Sequence, residues 1–218
     1  MKQNLELRSG RSRKPRQLNS PRYLIVSEGK KTEPNYFNGL KLKLKVREHD
    51  RLIYQNVPLL KVEGTGFNTI SLVEKTQELV RSSKLEFENV YCVFDRDSFS
   101  KDDFNSAIQK CIKLNFIPLW SNECFELWFL LHFCAINSAL SRGMIYDKLD
   151  RIFKEKRINK EGYEKNNENI YNILVKYGDQ SKAIANAKTL DCCLDSKYAD
   201  QNPLTKVYLL IESLIMYL

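Results

Sequence analysis

Histidine is almost missing from this chain: there are two in 218 residues. A zinc site built on imidazole therefore has few ligands to draw on. One of the two, His132, lies in an apolar stretch and reads as a packed core residue rather than a catalytic base. Cysteine occurs six times, at 92, 111, 124, 134, 192 and 193, but never as a CxxC pair. Most of these thiols sit inside apolar runs, the usage of a reduced cytoplasmic protein. There is no GxxxxGK[ST] loop, which removes support for P-loop nucleotide hydrolysis, and no GxSxG, which removes the serine-hydrolase elbow. No signal-peptide pattern opens the chain. The longest apolar run, residues 125–136, is too short to span a bilayer and is broken by Glu126 and His132.

Positive charge is what the chain has in excess. Lys and Arg number 35 against 27 acids, for a net charge of +8. That balance favours a polyanionic partner, nucleic acid before an acidic membrane surface. Part of it collects in residues 1–20, which carry six basic residues and one acid and little periodicity. We read this stretch as a basic tail. Arg11, Arg13, Lys14 and Arg16 are its candidates for nucleic-acid phosphates, the bland alternative being a solvated terminus.

From residue 21 the pattern alternates. YLIV at 23–26 reads as a strand that runs through Ser27-Glu28-Gly29 into a helix starting at Thr32. A second strand is expected over 57–62, with Pro58 placing it near an edge, and Gly64-Thr65-Gly66 then leads into a helix over 68–82. The two glycines fit a tight βα turn and, less strongly, a phosphate cradle. A third strand follows over 90–97, a helix to 114, a fourth strand over 116–120, and a buried helix capped by Ser121 and Asn122. Strand-helix alternation of this kind predicts an α/β fold with a mostly parallel four-stranded sheet flanked by helices. Beyond residue 138 only helical periodicity is visible, over 145–153, 170–177, 180–193 and 203–218. Asn202 and Pro203 look like the start of the last helix. The expected division is a tail (1–20), an α/β core (21–137) and a helical extension packed on it (138–218). A basic cluster at residues 151–160 reads as a solvated helix face or a phosphate contact.

The stretch YCVFDRD, residues 91–97, organises the chemistry. Its apolar part reads as a strand buried on both faces, which puts Asp95 and Asp97 at the carboxyl end, where open α/β sheets place their ligands. Glu28 follows the first strand and converges on the same edge if the two strands are parallel. Glu126 interrupts an apolar helix, where a charge needs a cation or a basic partner such as Arg96. Carboxylates gathered without histidine or thiolate suit Mg²⁺ or Mn²⁺, which bind phosphate oxygens during phosphoryl transfer. Lys30 and Lys31, just beyond Glu28, are placed to neutralise a phosphate.

Five blocks of the sequence carry a likeness. They are RSRKPR (11–16), LIVSEGKKTEPNYFNGL (24–40), VYCVFDRD (90–97), SNECFELWFLLHF (121–133) and NPLTKVYLLIE (202–212). In this order they resemble the RloB family, which includes abortive-infection proteins of the AbiLii type and is similar to Toprim domains. The resemblance implies a Toprim-like core in which Glu28 is the glutamate after the first strand and Asp95 and Asp97 are the DxD after the third. Glu126 would add a further acid near the metal. It implies a cytoplasmic, Mg²⁺-dependent nuclease acting on RNA or DNA in defence against phage. Nucleic acid, an ATPase encoded nearby and a second copy of the chain are the partners to look for, and a membrane is not among them. A non-catalytic subunit that senses nucleic acid for the ATPase is the alternative, because a fold does not fix a chemistry.

Overall fold

Four apolar runs build a parallel sheet. In the computed structural model, which describes residues 20–48, 56–96, 100–191 and 197–218, these are β1 (Arg22–Ser27), β2 (Leu59–Gly64), β3 (Asn89–Asp95) and β4 (Ile117–Asn122). Their order is β2-β1-β3-β4, all parallel. The helices between them are α1 (Thr32–Glu48), α2 (Thr69–Ser82) and α3 (Lys101–Lys113). Each strand sends alternate side chains to opposite faces. Ile25, Tyr91, Val93 and Leu119 join one hydrophobic cluster, with Tyr36, Phe37 and Leu40 of α1. Leu24, Val26, Cys92, Phe94 and Trp120 join another, with Leu72 and Val73 of α2 and Phe104 and Ile108 of α3. Strands buried on both faces are the reason the sequence shows unbroken apolar runs rather than alternation.

The order also fixes where a ligand belongs. The chain leaves β1 toward β2 on one side, then returns to build β3 on the other. The carboxyl ends of β1 and β3 therefore flank a topological switch point, where the outgoing connections part and leave a crevice.

After β4 the chain forms α4 (Glu126–Leu131), α5 (Arg142–Glu155), α6 (Ile170–Tyr177), α7 (Gln180–Leu190) and α8 (Tyr208–Ser213), which with α1 to α3 makes eight α-helices among the described residues. Leu127 to Leu131 of α4 are all buried, as are Ile145, Leu149 and Phe153 of α5 and Leu174 of α6, within the cluster that also holds α1. Among the described residues no helix is long and apolar enough to cross a membrane.

Three expectations need correction. The sheet has five strands rather than four: β5 (Leu204–Thr205) pairs antiparallel with β4, and the Lys206 amide donates to the Trp120 carbonyl at 2.8 Å. An exposed β4 edge would carry unpaired backbone groups, and these residues cover it. The helix expected from Pro203 consequently starts only at Tyr208 and ends at Ser213, before a 3₁₀ turn over Ile215–Tyr217. Ser121 and Asn122 are not helix caps but the end of β4, where the Ser121 hydroxyl bonds the Thr205 hydroxyl at 2.8 Å. The buried helix behind them spans six residues only. The basic cluster at 151–160 is exposed where it begins and ends, at Arg151 and Lys160, and Lys154 pairs with Asp150 one turn away.

Candidate functional site

Register brings the first two acids together. Ser27 of β1 lies beside Val93 of β3, and the Glu28 amide donates to the Val93 carbonyl at 2.9 Å. Asp95, two residues on, shares the face of Tyr91 and Val93, the face covered by α1 and α4. Glu28 and Asp95 line one cavity of about 330 Å³ at the carboxyl end of the sheet. α4 supplies Glu126 to the same cavity and α1 supplies Glu33. Glu126 and Glu33 are 3 % and 6 % exposed, so two of the four carboxylates are almost wholly withdrawn from water.

Glu33 was not expected here. In sequence it reads as an ordinary acid in the first turn of a helix, favoured by the helix dipole. Its carboxylate instead folds back on the turn that carries Glu28, accepting from the Gly29 amide at 3.2 Å. The approach is so close that a Cβ on residue 29 would meet Glu33 Oε2 at 2.1 Å, which only glycine avoids. The Glu-Gly-Lys-Lys-Thr-Glu run therefore works as one unit: Gly29 lets Glu33 hold the turn that aims Glu28. The neighbouring Gly64-Thr65-Gly66 ends β2 and leads toward α2, with two of its amides already bonded. Its Thr65 and Gly66 amides donate to the Ser27 and Glu28 carbonyls at 3.0 and 2.8 Å. Gly66, at φ +75°, passes beneath the Lys30 stem, where a Cβ would meet Lys30 Cε at 2.4 Å.

Among the described residues no arginine pairs with Glu126. Its partners are two phenols, Tyr146 of α5 and Tyr163 beyond it, whose hydroxyls donate to Oε1 at 3.3 and 3.5 Å. The alternative of a salt bridge to Arg96 is thus not what the structure has among the described residues. Burial, then the charge on Glu126, pushes both phenols further up, so they remain donors at any ordinary pH. Asp95 meets Arg142, the first residue of α5, at 3.8 Å from Oδ2. Its Oδ1 is buried without a hydrogen-bond partner among the described residues.

The electrostatics follow from this crowding. Burial raises the pKa of Asp95 well above 3.8, and Glu33, Glu126 and Glu28 push it up further. Arg142 opposes them and offsets only part, being long and a third exposed. Glu33 is raised by burial first and by Glu126 next, against the Gly29 amide and Lys165. Cys124 is buried beside these acids, and its thiol is pushed up by burial and by Glu126 and Asp95. It stays a neutral thiol and is no nucleophile. The four thiols among the described residues are free.

Lys30 and Lys31 line the cavity as expected, both exposed. Arg142 and Lys165 join them from the C-terminal part of the chain. No signal along the sequence marks these two: Arg142 looks like any helix residue, and Lys165 sits in a polar stretch between helices. Asp97, the second acid of the DxD, lies outside the described residues, as do Arg11, Arg13, Lys14 and Arg16 of the basic tail.

A cation is the obvious relief for such a group, and the donors fit one in kind. They are carboxylates alone, and Asp95 keeps a buried oxygen without a partner among the described residues. They do not form a closed cage: among the described residues no three His, Cys, Asp or Glu side chains are arranged to hold a metal ion.

A family model for RloB-like proteins matches residues 23–214. The chain belongs to the RloB-like family. The span matched takes in every residue of the cavity and all five strands of this RloB-like chain except the first residue of β1. No curated protein matches it, and no solved structure does.

Proposed function

We propose that this RloB-like chain is a divalent-metal-dependent nuclease with a Toprim-like site, acting in bacterial defence against phage. One observation carries the reading. Glu28, Glu33, Asp95 and Glu126, from four different elements, line a single cavity at the sheet's switch point, and lysines and an arginine line it with them. Crowded carboxylates repel unless a cation joins them, and a basic surround draws in a polyanion. Membership of the RloB-like family adds the likeness to Toprim domains described above.

In this reading Asp95 and Glu28 hold Mg²⁺ or Mn²⁺, with Glu126, bonded by its two tyrosines, completing or orienting the site and Asp97 as the further ligand. The ion, when bound, would neutralise charge on a phosphodiester and polarise it toward attack. The chain's own residues do the rest. Where Glu28 does not bind the ion, it would take a proton from the attacking water or give one to the leaving oxygen, and Glu33, through the Gly29 amide, fixes the turn that aims it. Lys30 and Lys31 steady the phosphate against the growing negative charge.

Purified protein incubated with Mn²⁺ or Mg²⁺ and single- or double-stranded RNA and DNA tests this. Cleavage of at least one of them is expected, with loss of about 10²-fold or more in Asp95→Ala. Cleavage that survives Asp95→Ala sinks the assignment. Binding without cleavage supports instead a sensing subunit that works beside an ATPase.

A further inference from the structure

Lys165 lines the cavity but has no role of its own in the reading above. It lies in the connection between α5 and α6, where an exposed lysine would ordinarily sample many rotamers. Here the backbone beside it is tied to α1. The Thr32 hydroxyl donates to Asn166 Oδ1 at 2.9 Å, and Asn35 Nδ2 donates to the Asn166 backbone carbonyl at 2.7 Å. Asn166 adopts a left-handed φ of +66°, a conformation asparagine tolerates better than most residues. The same first turn of α1 carries Glu33, so the tie brings the connection to the cavity wall rather than to a remote surface.

The side chain is guided as well. Lys165 Nζ stands 5.7 Å from the Tyr146 ring centre, and the Tyr146 hydroxyl reaches Glu126 in the cavity. Lys165 makes no ion pair among the described residues. Its ammonium group thus stands beside the Tyr146 ring, among the residues that line the cavity. Lys30 takes a different direction, along Gly66 beyond β2. The acids are therefore approached by a lysine from the β2 side and another from the α5 side. A phosphate backbone laid across the acids would meet one at each end.

We propose that Lys165 is a substrate-positioning residue that takes a non-scissile phosphate of a nucleic-acid strand, with Asn166 as its anchor. This rests on the nucleic-acid reading above and extends it: the stretch after α5, beyond the α/β core, supplies half of the strand's contacts. The lysine acts as a point charge on a phosphate and so reads no bases.

The test uses the full chain and a fluorescent single-stranded oligonucleotide, with binding followed by anisotropy in EDTA at several NaCl concentrations. Lys165→Gln should weaken binding and lower the magnitude of the slope of log K against log [NaCl] by about 0.7, the loss of one phosphate contact on a single strand. Lys165→Arg should keep the slope. Asn166→Gly permits the left-handed φ but removes the Thr32 bond, and should weaken binding while keeping most of the slope. An unchanged slope in Lys165→Gln overturns the inference, and so does a wild type that shows no salt-dependent binding. Cleavage of the same oligonucleotide with Mn²⁺ separates the two readings. A wild type that binds with full slope and never cuts refutes the nuclease and leaves Lys165 its role. A wild type that cuts, with Lys165→Gln unchanged in slope, refutes the role alone.

Discussion

Single residues of this chain are shaped by one another's charge. Asp95 and Glu33 both have their pKa raised, chiefly by burial and then by neighbouring carboxylates. A carboxyl group whose folded pKa exceeds its unfolded one binds more protons when folded. Stability therefore falls as pH rises through the folded value, and the penalty stays in place above it. At neutral pH the site works against the fold in the absence of a cation. Asp95→Asn is expected to raise the melting temperature of metal-free protein at pH 7, by about 2–4 °C for each kcal/mol of repulsion removed. The gain should shrink as pH falls toward the ordinary value of 3.8. Thermal scans in EDTA from pH 4 to 8 check this; a variant less stable than wild type at pH 7 contradicts it. His132 has the opposite sign. Buried and bonded through Nδ1 to the Trp128 carbonyl at 2.9 Å, it has its pKa lowered to about 4. It stays neutral in the fold, so its contribution is lost as pH falls from 6.5 to about 4, at most about 3 kcal/mol. Replacing it by Gln should flatten the acid limb of the stability curve. Gly29→Ala is the sharpest residue-scale test of the turn. Glu33 must move to admit the methyl group, and cleavage should fall about 10²-fold while the protein stays folded by circular dichroism.

At the scale of elements, the legible parts were those whose burial leaves a local pattern. The strand segments at 23–26 and 90–94 are apolar without break because helices cover both faces, so they could be read from residues alone. Glu28 and Asp95 followed from strand ends, and a parallel register brought them together as expected. The last helix shows the limit. Leu204, Val207, Tyr208, Ile211 and Leu214 are all buried, so the apolar stripe is real. Its first residues are nonetheless extended, because covering the edge of β4 satisfies more backbone groups than another helical turn would. Glu33 was overlooked because a helix's first turn explains an acid without invoking a site. Tyr146, Tyr163, Arg142 and Lys165 reach the cavity only through the path of the chain after β4, for which no short-range signal exists. One element-scale joint is open to test. Asp191, after α7, accepts from Lys206 and from the Tyr208 hydroxyl, tying α7 to the start of α8. Lys206 and Asp191 are each about one-fifth exposed. Asp191→Ala should cost about 1–3 kcal/mol in urea unfolding. A change below a few tenths would show that the joint is incidental.

The whole molecule sets a sheet with covered faces against a basic exterior of +8 net charge. The acids occupy one recess of that exterior, and the chain after β4, through Arg142 of α5 and Lys165 in the connection beyond it, supplies half of its basic lining. In the proposed function a nucleic-acid strand would be drawn to this surface by charge and stopped at the recess by the same lysines. Binding should therefore weaken steeply with salt across all sequences tested, and a flat salt response would contradict that division of labour. The central claim is narrower: Asp95 and Glu28 grip a divalent ion. Calorimetric titration of metal-free protein with Mn²⁺ tests it most directly, with Asp95→Asn and Glu28→Gln as partners. The account predicts saturable binding by the wild type that is lost in both variants. Equal binding by wild type and variants, or none by the folded wild type, would contradict it.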